Sequence, residues 1–135
     1  DATIAVRERI EAPGFGPLAV KAGEHHCQPP REILEQIVTL RIHLDDCGEA
    51  NGPLRVVPGS HREGLVADHR VEELAAAGPA LELTVAAGDA VVMYPHIVHS
   101  SPRATHPGRR RVLHLDCTSA LLPFGLEWAE TLPLD

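Results

Sequence analysis

Short apolar runs separated by turn residues follow one another along the chain, and this spacing limits the fold to a few architectures. The clearest run, residues 38–45, alternates strictly between apolar and polar side chains, which is the period of a β-strand with two different faces. We expect its apolar face to meet the core and its polar face to meet water or a polar cavity. Similar strands are predicted at 2–10, 53–58, 81–85, 90–95 and 110–117.

Helical patterns are sparse in comparison. Residues 70–77 are the best helix candidate, ended by Gly78 and Pro79, and residues 31–36 predict one helical turn. A parallel sheet needs a long crossover, usually a helix, between its strands, and this pattern supplies too few. The sequence therefore predicts a mainly all-β fold, a barrel or sandwich with one or two short helices. Its length predicts a single domain over 1–135.

Charge and composition exclude some classes of partner. Twelve basic residues stand against 19 acidic ones, for a net charge of −7, whereas a nucleic-acid-binding chain usually carries a basic surplus. No apolar run approaches the ~20 residues of a membrane span. We therefore expect neither nucleic acid nor a membrane as a partner. The widely spaced Cys27, Cys47 and Cys117 indicate reduced thiols and a cytoplasmic location.

Nine histidines raise the expectation of a metal site, because histidine is the commonest metal ligand. His43 and Asp45 share one face of their strand and, with a distant histidine, would complete a two-histidine, one-carboxylate iron site. The alternative is that Asp45 opens a turn and His43 is an ordinary polar strand residue. His96 and His99 are three residues apart, so on an extended chain only one of them faces a common cavity. The alternative is that both are ordinary loop histidines, and we favour this for His96.

Three consecutive arginines, residues 109–111, open the last predicted strand. By the period of two, Arg110 shares a face with Val112 and His114, whereas Arg111 belongs to the other face. An arginine that points into a barrel needs an anionic partner, and its planar fork suits a carboxylate. The alternative is that the arginines are solvated, which fits two of the three.

Three longer blocks carry a more specific pattern: HLDDCGEANGPLRVVPGSH at 43–61, AAGDAVVMYPHIVHSS at 86–101 and RRRVLHLD at 109–116. Together they resemble the phytanoyl-CoA dioxygenase family, and the likeness extends over nearly the whole chain. The resemblance implies a double-stranded β-helix, or jelly-roll, oxygenase that uses Fe(II) and 2-oxoglutarate. With O2, such an enzyme hydroxylates a C–H bond of a small organic substrate and releases succinate and CO2.

The resemblance also implies site residues. Family members bind iron through an early His-x-Asp motif and a late histidine, and the late histidine corresponds to His99. The arginine eleven residues beyond it, here Arg110, binds a carboxylate of 2-oxoglutarate. Ser101 corresponds to a position that contacts this co-substrate.

The early motif corresponds to Asp1 alone, because its histidine would lie two positions before the chain begins. We therefore expect the chain to lack an N-terminal part of the domain, and we expect His43 and Asp45 not to bind the metal. Thr39 is assigned to the co-substrate site, and Arg41 and His43 to the polar lining of the cavity.

Two other functions remain open. A cupin-like jelly roll would bind a metabolite without redox chemistry, and would show no metal-dependent turnover of 2-oxoglutarate. An inactive fragment of such an oxygenase would bind iron weakly, because it would lack one of three protein ligands.

Overall fold

The computed structural model describes residues 3–106 and 108–133. Contacts between these residues divide them into two compact units. Unit 1 combines the described parts of 1–36 and 118–135, and unit 2 is Ile37–Cys117. The single domain expected over 1–135 stays a prediction.

Unit 1 contains a three-stranded antiparallel sheet in the order β1-β3-β2. The strand predicted at 2–10 is shorter than expected, because after Val6 the backbone N–H of Arg7 donates to the carbonyl of Glu127 rather than continuing the ladder. A proline precedes the single helical turn, a position that proline favours. The elements are β1 (Ile4–Val6), β2 (Ala19–Lys21), β3 (Glu24–Cys27) and α1 (Arg31–Leu34).

Unit 2 contains two three-stranded antiparallel sheets, in the orders β7-β4-β9 and β6-β5-β8. The strands that pair are far apart in sequence, as Arg41↔His114 and Val56↔His99 show. The predicted all-β class with short helices is thus confirmed. The elements are β4 (Val38–His43), β5 (Leu54–Val56), α2 (Asp68–Ala76), β6 (Leu81–Leu83), β7 (Ala90–Met93), β8 (His99–Ser100) and β9 (Val112–Cys117).

The helix α2 begins two residues before the predicted start and ends one residue before the predicted end. Asp68 lies in its first turn, where the helix dipole favours a negative charge. Arg70 pairs with Glu63, outside the helix, and with Glu73 one turn later, which ties α2 to the preceding loop. Among the described residues, no helix is long and apolar enough to cross a membrane.

The apolar face of β4 is more exposed than we expected, and the polar face is the more enclosed of the two. On the polar face, Thr39 is 0% and His43 3% exposed, whereas Leu44 on the apolar face is 52% exposed. Apolar side chains of the paired strands, Val92 and Leu113, are also exposed. Alternation shows only that two faces differ in polarity. Here the polar face is the buried one, and Thr39 and Arg41 on it are hydrogen-bonded to side chains of β9.

Candidate functional site

The guanidinium of Arg110 is hydrogen-bonded to the turn that follows β4. Its Nη1 donates to Ser101 Oγ at 2.8 Å and also to the carbonyls of Asn51 and Gly52. The hydroxyl of Ser101 in turn donates to the Gly52 carbonyl at 2.7 Å. The structure thus brings together two residues that the sequence assigns to the co-substrate site. Nε and Nη2 of Arg110 make no hydrogen bond to the described residues, so they can receive an anion.

Gly52 permits this close approach. Its φ is +68°, in the left-handed region, and a Cβ at this position would collide with the carbonyl oxygen of Pro102. The same Cβ would lie 3.2 Å from Nη1 of Arg110. A larger residue would therefore move the turn away from the guanidinium. The preceding Asn51 strengthens the turn, because its amide donates to the carbonyls of Asp46 and Arg109.

His99 lies on β8, opposite Val56 of β5. Its Nδ1 lies 2.7 Å from the carbonyl oxygen of Ile97. Because a carbonyl only accepts, Nδ1 carries a proton, and Nε2 is the ring nitrogen that remains for another partner. A backbone carbonyl that fixes the tautomer in this way is a common support of a metal-binding histidine.

His96 has different surroundings from His99. It is buried, its Nε2 is hydrogen-bonded to the carbonyl of His61 at 3.0 Å, and its ring contacts the rings of His61 and Tyr94. His96 thus lies in a turn, as expected of a loop histidine, and it is also packed into the structure. His99 is the exposed member of the pair.

The proposed carboxylate ligand Asp1 lies outside the described residues. Within the described parts of the chain, no group of three histidine, cysteine or acidic side chains is arranged to hold a metal ion. Asp45 is already engaged, because its two oxygens accept from Nη2 and Nε of Arg111 at 2.8 and 2.9 Å. This pairing lowers the pKa of Asp45 to about 2. It also shortens the predicted last strand, because Asp45 takes the backbone N–H of Arg111.

The polar face of β4 forms two side-chain hydrogen bonds with β9. Thr39 Oγ1 donates to Asp116 Oδ1 at 2.5 Å, and Arg41 Nη1 lies 3.2 Å from His114 Nδ1. Since a guanidinium only donates, His114 accepts at Nδ1 and carries its proton on Nε2. That nitrogen lies 3.5 Å from Asp116 Oδ1. Thr39, assigned to the co-substrate site, therefore uses its hydroxyl for one of these two bonds.

Arg41 and His43 are neighbours on this face, and each keeps a buried nitrogen without a partner among the described residues. Burial lowers the pKa of His43, and the nearby positive charges of Arg41 and Arg110 lower it further. Burial also lowers the pKa of Arg41, and Arg110 adds to the effect. The imidazole of His43 is therefore neutral near pH 7. The positive charges of Arg41 and Arg110 both act on this side chain.

Sequence reasoning did not find Asp116 or the role of Gly52. The period of two from Arg110 through Val112 and His114 reaches Asp116, and the Asn-Gly-Pro sequence marks a turn. What no local pattern provides is the register of β4 against β9, which places Thr39 opposite Asp116.

Residues 10–112 match the model of the phytanoyl-CoA dioxygenase family. The chain belongs to this family. It is 35% identical to an L-proline trans-4-hydroxylase of Streptomyces griseoviridis over 56% of its own length and 38% of that protein. Among solved structures, it is similar to AviO1 of Streptomyces viridochromogenes Tue57, with 29% identity and a TM-score of 0.58 over 90% of this chain and 46% of AviO1.

The chain is also similar to the solved structure of EvdMO1, with 33% identity and a TM-score of 0.54 over 60% of this chain. The chain spans 19% of EvdMO1 and less than half of the other two proteins. The likeness to AviO1, together with the antiparallel sheets of unit 2, confirms the jelly-roll class expected from the sequence.

Proposed function

We propose that this phytanoyl-CoA dioxygenase family chain carries the co-substrate site and two metal ligands, His99 and Asp1, of an Fe(II)- and 2-oxoglutarate-dependent oxygenase. Its reaction is hydroxylation of a C–H bond of a small organic molecule with O2, with succinate and CO2 as the other products. The observation that carries the proposal is the anchored guanidinium of Arg110, beside Ser101 and with free donors. Family membership and the hydroxylase relative support it.

The residues present fit the co-substrate. A carboxylate of 2-oxoglutarate would accept from Nε and Nη2 of Arg110, the edge that makes two parallel hydrogen bonds. Arg110 forms no ion pair with a carboxylate of the described residues, so a ligand would supply the missing negative charge. Ser101 holds the guanidinium through Nη1 and thereby orients the free edge.

One member of the iron ligand set also fits. His99 would bind Fe(II) through Nε2, because its Nδ1–H is held by the carbonyl of Ile97. Asp1 and a histidine before it in a longer chain would complete the set. When bound, the iron supplies the redox chemistry with O2 that no side chain can perform. The residues of this chain bind and orient the co-substrate and limit access of water.

Two further observations support proposals for the substrate and for the location in the cell. The L-proline trans-4-hydroxylase relative supports a small amino acid or a similar metabolite as the substrate. Cys27, Cys47 and Cys117 are free thiols in the structure, which supports a cytoplasmic location.

The proposal is tested by calorimetric titration of the full-length protein with 2-oxoglutarate in the presence of Mn(II) as a redox-inert substitute. Arg110→Gln is expected to weaken binding by about tenfold to a hundredfold, the loss of a charge-assisted pair. Arg109→Gln is the matched control, since Arg109 is an exposed neighbour, and it should bind as the unaltered protein does. Equal binding by both variants would contradict the assignment of Arg110.

Turnover separates the oxygenase from a metabolite-binding jelly roll. With Fe(II), O2 and 2-oxoglutarate, the full-length protein is expected to form succinate even without substrate, though slowly. Binding of 2-oxoglutarate without any Fe(II)-dependent succinate would overturn the enzymatic part of the proposal.

A further inference from the structure

Arg41 is a partly buried cation without an acidic partner. It forms no ion pair with a carboxylate of the described residues, and its one hydrogen bond there is to the neutral His114. Its Nε is buried and unpartnered. Five arginines have carboxylate partners among the described residues, and these are Arg7, Arg31, Arg55, Arg70 and Arg111. The remaining arginines without such a partner are exposed, whereas Arg41 is partly buried.

This arrangement is unfavourable for the protein alone. A buried donor without an acceptor destabilises the fold. The positive charge of Arg110 lowers the pKa of Arg41 as well, Cys47 opposes this shift, and no carboxylate of the described residues pairs with Arg41. Burial keeps His43 uncharged, so it adds no positive charge, and it supplies no negative charge either. Such a cluster becomes favourable when an anion enters it.

The free atoms of Arg41 define the shape of that anion. Nη1 is held by His114, which leaves the Nε–Nη2 edge. Arg111 uses this same edge to bind both oxygens of Asp45, at 2.8 and 2.9 Å. The edge presents two parallel N–H groups and matches a planar carboxylate. His114 Nε2 in turn lies 3.5 Å from Asp116 Oδ1.

We propose that Arg41 is the residue that recognises the substrate, by binding its carboxylate, and that the substrates are small carboxylic acids. The inference rests on the proposed function, in which Arg110 holds the 2-oxoglutarate carboxylate and the substrate supplies a second anion. Arg41 is then a specificity-determining residue. A matching amide or ester lacks the charge that this face requires.

Nuclear magnetic resonance of the arginine Nε–H groups tests the inference in metal-free, full-length protein saturated with 2-oxoglutarate. The probes are acetate, butyrate and benzoate at constant ionic strength, each compared with its amide. The Arg41 Nε–H signal, assigned by its disappearance in Arg41→Lys, is expected to shift with at least one acid and with none of the amides. Shifts by acid and amide alike, or by neither, would overturn the inference.

Variants distinguish the substrate carboxylate from the co-substrate carboxylate. Arg41→Gln is expected to weaken binding of the acid by tenfold or more and to leave 2-oxoglutarate binding within about twofold. The matched control Arg55→Gln, on β5 and paired with Glu82, should change neither. If Arg41→Gln weakens 2-oxoglutarate binding instead, Arg41 belongs to the co-substrate site and the inference is wrong.

The same data separate this inference from the proposed function. If the unaltered protein does not bind 2-oxoglutarate, the proposed function fails, while the acid-dependent shift of Arg41 still decides the inference. If Arg41→Gln does not fold, as judged by circular dichroism, Arg41→Lys replaces it, because it keeps the charge and removes the two-donor edge. Undiminished acid binding by Arg41→Lys would then contradict the role of that edge.

Discussion

Replacing Gly52 by alanine separates two costs that a glycine at a tight turn avoids. The first is the left-handed backbone, which costs an alanine about 1–2 kcal/mol. The second is overpacking against the Pro102 carbonyl and the Arg110 guanidinium, typically about 1–3 kcal/mol. We therefore expect Gly52→Ala to lower the free energy of unfolding by about 2–5 kcal/mol, the sum of the two.

Gly59 provides the matched control. Its φ is +84°, also left-handed, but a Cβ there has no atom within 4 Å. Gly59→Ala should therefore cost only the backbone part, about 1–2 kcal/mol. The effect of a glycine-to-alanine change on the unfolded chain is the same in both variants, so it cancels in their difference.

Two measurements check this reasoning. Urea unfolding followed by circular dichroism gives the two free energies, and titration with 2-oxoglutarate reports the position of Arg110. Moving the guanidinium should remove at least one charge-assisted hydrogen bond, about 1.5–3 kcal/mol, so Gly52→Ala binds roughly tenfold to a hundredfold more weakly. Equal destabilisation and equal affinity in the two variants would refute the collision as the reason for glycine at position 52.

Three further expectations concern ionisable groups. His99→Gln should weaken Mn(II) binding by more than about tenfold, while His69→Gln, an exposed helix residue, should not; equal affinities would exclude His99 as a ligand. His43 has a lowered pKa, so its contribution to the free energy of unfolding is complete above about pH 6.5 and declines as pH falls below that value. In urea unfolding between pH 5 and 7, the free energy of unfolding of His43→Gln should therefore depend less steeply on pH than that of the unaltered protein. The pKa of Asp45 is about 2 instead of 3.8, so stability is lost as pH falls between these values; Arg111→Gln should flatten acid unfolding there, and an unchanged curve would contradict the pairing.

The local sequence pattern located the strands well, but it did not determine which face of each strand is buried. Strict alternation predicted a strand at 38–45, and β4 is Val38–His43. The prediction that its apolar face meets the core was wrong, because the most buried residues of the strand, Thr39 and His43, belong to the polar face. The side that is enclosed depends on polar partners from β9, which are more than 70 residues away.

The candidate site shows the same division between local and distant information. The place of Arg110 on the strand and its likeness to a family motif were visible in the sequence, and its contact with Ser101 agrees with both. The unpartnered edge of Arg41 was not visible. It depends on the register Arg41↔His114 and on the direction of one hydrogen bond, which only the folded chain determines.

The anchoring of Arg110 has a consequence for the entropy of binding. An arginine side chain carries about 2 kcal/mol of rotamer entropy. In this chain the hydrogen bonds of Nη1 to Ser101 and to the Gly52 turn restrict those rotamers when the protein folds. An anion that arrives later meets a side chain already ordered, so little more freedom is lost on association. The entropy of the Arg110 side chain is therefore lost when the protein folds. This loss lowers the free energy of unfolding and leaves the affinity for the anion largely unaffected.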